Sequence, residues 1–267
     1  MSSSSSRFQE WFVRPFQAKP EPNSLKKRIL LSIGIPVWVF LGFMLAQAIV
    51  IVSIELLQNA GVSLSEINAS LLQVIAGGVV YALSLLVVIG VPWLVKKSRT
   101  TKEELGTQRL PSWKDIALVP PAAITYLVLT VAVTTFAMTF LTFINYDQAQ
   151  DTGFSNMSNQ FEYIMAFIML VIIAPVAEEL LFRGYLFGKL RKYTPIWGAM
   201  LITSIVFGIV HLAWNVGLDV FALSLVLCAV RVISGSIWPS MMLHMLKNSI
   251  AYFFLFIYPV LQSTIGG

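Results

Sequence analysis

The stretch VIIAPVAEELLFRGYLF, residues 171–187, is the strongest indication of the fold. Its length and apolar residues are typical of a membrane-crossing helix, yet it contains Glu178, Glu179 and Arg183. A charged side chain within hydrocarbon costs at least a few kcal/mol, so a functional role is the first hypothesis for such residues. The stretch therefore predicts a membrane helix that carries part of a site.

Two further apolar stretches contain polar side chains. LITSIVFGIVHL, residues 201–212, contains His211, and PSMMLHMLKNSIAYFF, residues 239–254, contains His244 and Asn248. The chain has two histidines in total, and we expect both to lie in apolar helices. Acids, imidazoles and an amide in three apolar stretches indicate proton chemistry inside a membrane.

The composition supports this setting. Of the 267 residues 57% are hydrophobic and 12% are charged, with a mean hydropathy of +0.78, whereas soluble domains contain about 25% charged residues. The net charge of +5 is spread over several polar segments, which indicates membrane topology and no nucleic-acid partner. The single cysteine, Cys228, excludes a disulfide framework. We expect an all-α transmembrane bundle in a lipid bilayer.

A helix needs about 20 apolar residues to cross a membrane, and this rule predicts about seven spans. They lie near residues 29–56, 69–95, 116–144, 161–187, 195–213, 218–236 and 238–260. The chain then divides into a polar N-terminal segment at 1–28, two spans with a basic loop at 29–115, and a core at 116–267.

The basic residues predict the orientation. Six of the 18 precede the first span, six lie between the second and third spans, and four lie around the turn between the fourth and fifth. The intervening polar segments contain none. Because basic loops stay in the cytoplasm, we expect the N-terminus inside and the C-terminus outside. The small chain with short loops indicates a bacterial plasma membrane. Arg231 and Lys247 remain, and both are expected to snorkel toward the inner surface.

Helical spacing separates the two glutamates. Glu179 and Arg183 are four residues apart, so they share a helix face and can form an ion pair. Glu178 is turned about 100° from Glu179 and is free for a different role. Glu178 and His211 are equally far along the chain from a predicted turn near residues 194–195. We therefore expect them to face each other at one depth, in the cytoplasmic half of the membrane.

These side chains form a set that could hydrolyse an amide bond with water. Glu178 in an apolar cavity suits a general base, and His211 could hold the attacking water. His244 and Asn248, one helical turn apart, could donate hydrogen bonds to the oxyanion of a tetrahedral intermediate. Phe207 lies one turn before His211 on the same face. This chemistry needs no serine or cysteine nucleophile.

A metal ion is the alternative. Glu178, His211 and His244 could supply three ligands to zinc and leave a fourth position for water. The sequence contains no HExxH pair, so these ligands would come from three separate helices. We favour a site without a cofactor and keep zinc as the second hypothesis.

The three motifs resemble those of a known family. EELLFR, residues 178–183, resembles the EExxxR motif of the CAAX protease and bacteriocin-processing (CPBP, Abi) family of intramembrane proteases, which includes the CAAX prenyl protease 2 type. FGIVH, residues 207–211, resembles the FxxxH motif of the family, and HMLKN, residues 244–248, resembles its HxxxN motif. They occur in the order of the family, and the resemblance covers roughly residues 120–260.

The resemblance implies an integral membrane endopeptidase of the glutamate type, historically called a metalloprotease. It implies the same four catalytic residues and adds supporting roles for Glu179, Arg183 and Phe207. The implied substrate is a membrane-associated or lipidated peptide. Two other functions stay open: a non-proteolytic scaffold or bacteriocin self-immunity protein, and a proton-coupled transporter. A transporter would be expected to show paired repeats, and the sequence shows none.

Overall fold

The computed structural model describes residues 10, 13–17, 19–96, 99–146, 148, 152–154 and 157–265. Residues 1–9 of the predicted polar N-terminal segment lie outside this part of the chain, as does Lys97 of the basic loop. The described residues form helices and no strand, which confirms the predicted all-α class. Helices suit this setting because backbone groups in hydrocarbon must find their partners within the segment.

We divide the bundle into eight helices. They are α1 (Leu25–Asn59), α2 (Ala69–Val95), α3 (Lys102–Leu105), α4 (Trp113–Phe140), α5 (Gln160–Leu190), α6 (Ile196–Ile209), α7 (Trp214–Ser234) and α8 (Trp238–Ser263). Six of them are long and apolar enough to cross a membrane, and α3 and α6 are shorter. Large apolar side chains such as Leu30, Leu94 and Val131 are exposed on the outer surface. The molecule is an integral membrane protein whose outer surface suits lipid.

The predicted fifth span is shorter than expected. In place of residues 195–213, the structure has α6, a helix of 14 residues, about 21 Å long against roughly 30 Å of hydrocarbon. His211 lies in the turn that follows, so its assignment to a helix was wrong. The next residue, Leu212, has a φ of 55°, a conformation that costs a residue other than glycine about 1–2 kcal/mol.

The loops gather at two opposite ends of the bundle. At one end the backbone N–H of Glu21 donates to Lys192 at 2.9 Å, and that of Ile237 donates to Gly106 at 3.0 Å. We call this end the basic face; it is formed by residues 19–24, 99–112, 191–195 and 235–237. At the other end Asn68 donates to Glu162 at 2.8 Å and Asn215 donates to the carbonyl of Gln148 at 2.7 Å. We call this end the loop face; it contains residues 60–68 and the described part of 141–159.

The short helix α3 is fixed to the basic end of α5. The carboxylate of Glu104 is buried and lies 2.7 Å from Lys189 Nζ and 2.6 Å from Lys192 Nζ. Burial raises the pKa of this carboxyl, but hydrogen bonds from the two lysines outweigh it, and the pKa falls below its usual value. Gly188 permits the contact, because a Cβ there would overlap the carbonyl oxygen of Glu104. The loop between α2 and α4, which contains α3, is thus packed on α5, the helix that carries Glu178 and Glu179.

Candidate active site

The hydrogen-bond register of α5 changes on both sides of the glutamates. Residues Ile168–Ile173 and Glu179–Leu186 are π-helical, and Ala174–Glu178 between them is α-helical. Pro175, at the start of the central piece, has no amide proton to donate. π-Helical turns are frequent at functional sites, because they widen the helix and redirect side chains.

This change of register explains the position of Asn248. Ala174 donates to Met169, five residues earlier, so in the same register the carbonyl of Leu170 would face the nitrogen of Pro175. That nitrogen carries no proton. Instead, Asn248 Nδ2 of α8 donates to the carbonyl of Leu170 at 2.8 Å. One N–H of the proposed oxyanion donor is therefore committed to α5.

Glu179 is fully buried between two cationic or ionisable partners. Its Oε1 lies 3.0 Å from Arg183 Nη1 and 3.0 Å from His244 Nδ1. Arg183 is fully buried as well, and its Cζ lies 4.2 Å above the ring of Phe207, a cation–π geometry. The Glu179–Arg183 contact is ionic, since its angles fall outside hydrogen-bond geometry. The four-residue spacing thus produces the ion pair that it predicted.

Glu178 faces a different environment from Glu179. Its side chain is 12% exposed, and its Oε2 lies 3.7 Å from His244 Nε2. Its Oε1 accepts a 2.5 Å hydrogen bond from the hydroxyl of Tyr81 on α2. Tyr81 was not predicted from the sequence. The available signal was a phenol in the middle of an apolar span, where a buried hydroxyl needs a partner.

The partners of the two histidines fix their ring protons. His244 Nδ1 contacts the carboxylate of Glu179, and His211 Nδ1 lies 2.7 Å from the carbonyl oxygen of Phe207. Both oxygens only accept hydrogen bonds, so we assign the proton to Nδ1 in each ring. Nε2 is then the atom that each histidine offers to a water or a substrate.

One cavity joins the predicted catalytic residues. It has a volume of about 230 Å³, and its wall includes Tyr81, Glu178, His211, His244, Lys247 and Asn248. Glu179, Arg183 and Phe207 are not in this wall and lie behind it. The ring of Phe207 is 5.1 Å from that of His211 and 5.8 Å from that of His244. The structure therefore brings the four candidate residues to one cavity and stacks the supporting residues beneath it.

The two remaining basic residues of the apolar spans have protein partners. Arg231 is only 1% exposed and donates to the carbonyl of Glu103 at 2.9 Å, so it reaches the basic face through protein. Lys247 Nζ lies 3.2 Å from Asp219 Oδ2. Asp219 is 15 residues from the basic end of α7, about 22 Å away. The expectation that Lys247 snorkels toward the inner surface was wrong.

The donor atoms do not form a complete zinc site as they are arranged. Glu178 Oε2 and His244 Nε2, at 3.7 Å, are close enough to share an ion. Within the described ranges, however, no three His, Cys, Asp or Glu side chains are grouped closely enough to hold one. Zinc requires ligand bonds of about 2.0–2.2 Å, so side chains would have to move to bind it.

Comparison with known proteins identifies the same region. The family model for type II CAAX prenyl endopeptidase Rce1-like proteins matches residues 160–250, which contain all three motifs. Over these residues the match confirms the resemblance that the motifs predicted.

Two curated bacterial proteins are similar to part of the chain. One is "UPF0177 protein YxdF" of Lactococcus lactis subsp. lactis (strain IL1403), 38% identical over 65 residues, which is 24% of this chain and 35% of that protein. The other is "Putative membrane peptidase YdiL" of Bacillus subtilis (strain 168), 32% identical over 82 residues, which is 31% of this chain and 34% of that protein. The chain thus matches about a third of the length of either relative. No solved structure matches it significantly.

Proposed function

We propose that this protein is an intramembrane endopeptidase, because residues 160–250 match the family model for type II CAAX prenyl endopeptidase Rce1-like proteins. It hydrolyses a peptide bond in a membrane-associated protein or peptide. The observation that carries the proposal is the single cavity lined by Glu178, His211, His244 and Asn248. We also propose a bacterial plasma-membrane location with a cytoplasmic N-terminus, supported by the distribution of basic residues.

In this proposal Glu178 and His211 activate a water molecule. Tyr81 occupies Oε1 of Glu178, so Oε2 is the oxygen that takes the proton as the water attacks the scissile carbonyl carbon. His211 has its Nδ1 proton committed to Phe207, and its Nε2 accepts a hydrogen bond that holds the water. When the C–N bond breaks, Glu178 returns the proton to the leaving amine. No covalent enzyme intermediate forms.

His244 and Asn248 stabilise the oxyanion in this scheme. Nδ1 of His244 is held by Glu179, so His244 donates through Nε2 only as an imidazolium, whose charge the Glu179 carboxylate stabilises. Asn248 donates one N–H to Leu170, and its amide has a second N–H to offer. Each donor of this kind contributes about 10²–10³ in rate.

The Glu179–Arg183 pair supports the site and does not touch the substrate in this proposal. A buried carboxylate requires a counter-charge, because the cost of taking it out of water is several kcal/mol. Arg183 provides that charge, and Phe207 packs against the guanidinium and against both histidine rings. These residues therefore set the orientation of the rings of His244 and His211.

The proposal is tested by mapping protein N-termini in membranes of cells that carry the wild-type protein or Glu178→Gln. The substitution removes the charge and keeps the shape, and Glu66→Gln, on an exposed loop, is the matched control. We expect a set of new N-termini in the wild type and the control that is missing from Glu178→Gln. An identical set in all three strains would reject the endopeptidase proposal and favour a scaffold or immunity protein.

A purified substrate fragment provides the second part of the test. Cleavage in ¹⁸O-labelled water should put the label into the new C-terminal carboxyl group, because the water oxygen forms the new C–O bond. Incorporation that persists in Glu178→Gln would reject Glu178 as the base.

A further inference from the structure

A second cavity lies at the basic face, between the beginning of α1 and the ends of α2 and α5. Its volume is about 770 Å³, more than three times the 230 Å³ of the cavity at Glu178. Within the described ranges, no residue lines both cavities. The proposed hydrolysis uses none of the side chains of this second cavity, which we call the basic-face cavity.

The deeper part of the basic-face cavity is apolar and comes from membrane-spanning helices. Its lining residues from α1 and α2 are Leu30, Leu31, Gly34, Ile35, Trp38, Val91, Pro92 and Val95. On α1 the wall runs from Leu30 to Trp38, eight residues on, or about 12 Å. Trp38 is fixed in this wall, because its Nε1 donates to the carbonyl of Val88 at 3.1 Å. This part of the cavity suits a hydrocarbon chain.

The rim of the cavity carries more positive than negative charge. The charged residues in its wall are Arg99, Glu104, Lys189 and Lys192. Glu21 adds a second carboxylate nearby, with its Oε1 3.7 Å from Lys192 Nζ, so three cations face two carboxylates. Lys189 also donates to the carbonyl of Arg99 at 3.4 Å. Because each ammonium has three N–H donors, both lysines keep at least one for a bound anion.

The cavity opens onto a groove on the outer side of α1. The groove is lined by Leu25, Lys26, Ile29, Leu30, Ile33, Gly34 and Val37. Leu30 and Gly34 line both spaces, and a Cβ at Gly34 would meet no other side chain within 4 Å. Leu30 is 66% exposed and Ile33 is 62% exposed, so this side of α1 suits lipid. A hydrocarbon chain can therefore lie beside Gly34 without displacing a side chain.

We propose that the basic-face cavity binds an anionic phospholipid, with its phosphate at Arg99, Lys189 and Lys192 and an acyl chain beside Gly34. Basic pockets between membrane helices bind anionic headgroups in this way. The excess of positive charge favours an anionic lipid over a zwitterionic one. The apolar wall favours a lipid over a soluble phosphate, which would leave that wall unfilled. Because the basic face is proposed to be cytoplasmic, the lipid comes from the inner leaflet.

A lipid in this position connects helices that are distant in the chain. Its site is formed by the first turns of α1, the last turns of α2, and α5 with the residues that follow it. Bound lipid thus links α1 and α2 to the helix that carries Glu178 and Glu179. A ligand that binds only the folded state stabilises that state, so the lipid should raise the unfolding temperature.

Lipid binding can be measured by native mass spectrometry of the purified protein in detergent. The probes are dioleoylphosphatidylglycerol, which is anionic, and dioleoylphosphatidylcholine, which is zwitterionic. Gly34→Phe places a large side chain into the open space beside α1. Gly78→Phe is the matched control, because Gly78 is also a helix glycine with open space at its Cβ and lines neither the cavity nor the groove.

A second pair of variants tests the charge of the rim. Arg99→Gln with Lys192→Gln removes two cations and leaves Lys189 bound to Glu104 at 2.7 Å, so α3 stays fixed. The matched control is Lys27→Gln with Lys102→Gln. It removes two cations from exposed positions that line neither the cavity nor the groove.

We expect the wild type and both controls to bind phosphatidylglycerol more tightly than phosphatidylcholine. The rim variant should bind phosphatidylglycerol about 25-fold more weakly, because each cation near an anionic lipid contributes about fivefold. Gly34→Phe should lose saturable binding, and phosphatidylglycerol should no longer raise its melting temperature. Glu178→Gln should bind the lipid as the wild type does, so this measurement is independent of cleavage.

Three results would overturn the proposal: equal affinity of the wild type for the two lipids, wild-type affinity in Gly34→Phe or in the rim variant, or equal loss of binding in a variant and its control. Melting without lipid shows whether each variant is folded, and Gly34→Leu replaces Gly34→Phe if the larger side chain prevents folding. Lipid binding without any Glu178-dependent cleavage would support the lipid site and reject only the endopeptidase proposal.

Discussion

Glu178 and Glu179 are adjacent in sequence but belong to two regions with opposite properties. Glu178 lines the cavity and is 12% exposed. Its Oε1 accepts a hydrogen bond from Tyr81, and its Oε2 lies 3.7 Å from His244 Nε2. Glu179 belongs to the packed layer behind the cavity wall, where it is fully buried with Arg183. A turn of about 100° around one helix separates them. Environment, and not residue type, therefore distinguishes a carboxylate that is available for reaction from one that stabilises the structure.

The largest expected effect is on the packed layer that contains Glu179 and Arg183. Glu179→Gln leaves Arg183 buried without a counter-charge, and breaking a buried pair in this way costs about 3–5 kcal/mol of stability. Glu178→Gln removes no counter-charge and should leave the stability close to that of the wild type. Thermal unfolding of the two purified variants in the same detergent measures the difference.

A double substitution sharpens this test. Glu179→Gln with Arg183→Met removes both charges, and it should recover part of the stability that Glu179→Gln alone loses. Equal melting temperatures for Glu178→Gln and Glu179→Gln would contradict the division into two regions.

The next effect concerns Asn248, which lines the cavity of Glu178 and also donates to the carbonyl of Leu170. If its second N–H binds the oxyanion, Asn248→Ala should lower kcat by about 10²–10³. Ser249→Ala is the control, since Ser249 donates only to Met245 within its own helix at 2.8 Å. If Asn248→Ala unfolds at a lower temperature but cleaves at the wild-type rate, the role of Asn248 is only to donate to the carbonyl of Leu170, which Pro175 leaves unpaired.

Much of the fold was predictable, because a membrane-spanning segment of this kind forms a helix and because charged residues are easily recognised within an apolar run. The apolar runs indicated the long helices, and the polar residues within them indicated the residues of the cavity wall. The end of α6 at Ile209 was not predictable, because the sequence stays apolar through Val210 and the turn depends on packing. The left-handed φ of Leu212 gives no sequence signal, since that conformation normally favours glycine.

The contacts between helices that are distant in the chain could not be predicted from the sequence either. Tyr81 lies 97 residues from Glu178, and Asp219 lies 28 residues before its partner Lys247. Neither pair has a helical spacing that would indicate contact.

A smaller effect is expected for Tyr81, the contact that orients Glu178 within the cavity. Tyr81→Phe removes one hydrogen bond to a carboxylate, and such a bond contributes about 1.5–3 kcal/mol. If about 1.4 kcal/mol of this is lost from transition-state stabilisation, kcat falls about tenfold. KM should stay unchanged, because the phenol positions the base and does not bind substrate. Tyr252→Phe is the matched control, since Tyr252 lines the same cavity but donates to the backbone of Tyr163. Equal kcat values for the two variants would reject the positioning role.

The smallest expected effect is that of metal removal, for which we expect no change in rate. Glu178 and His244 offer two adjacent donor atoms, but Oε1 of Glu178 is held by Tyr81 and no third ligand group is assembled among the described residues. Water activation by Glu178 and His211 needs no ion, so enzyme treated with a chelator should cleave a peptide at the untreated rate. Loss of activity that zinc restores would contradict this, and so would stoichiometric zinc bound by the wild type and lost in His211→Ala. In that case Glu178 would act as a ligand or as a base beside the ion. Metal coordination, rather than proton transfer, would then distinguish Glu178 from Glu179.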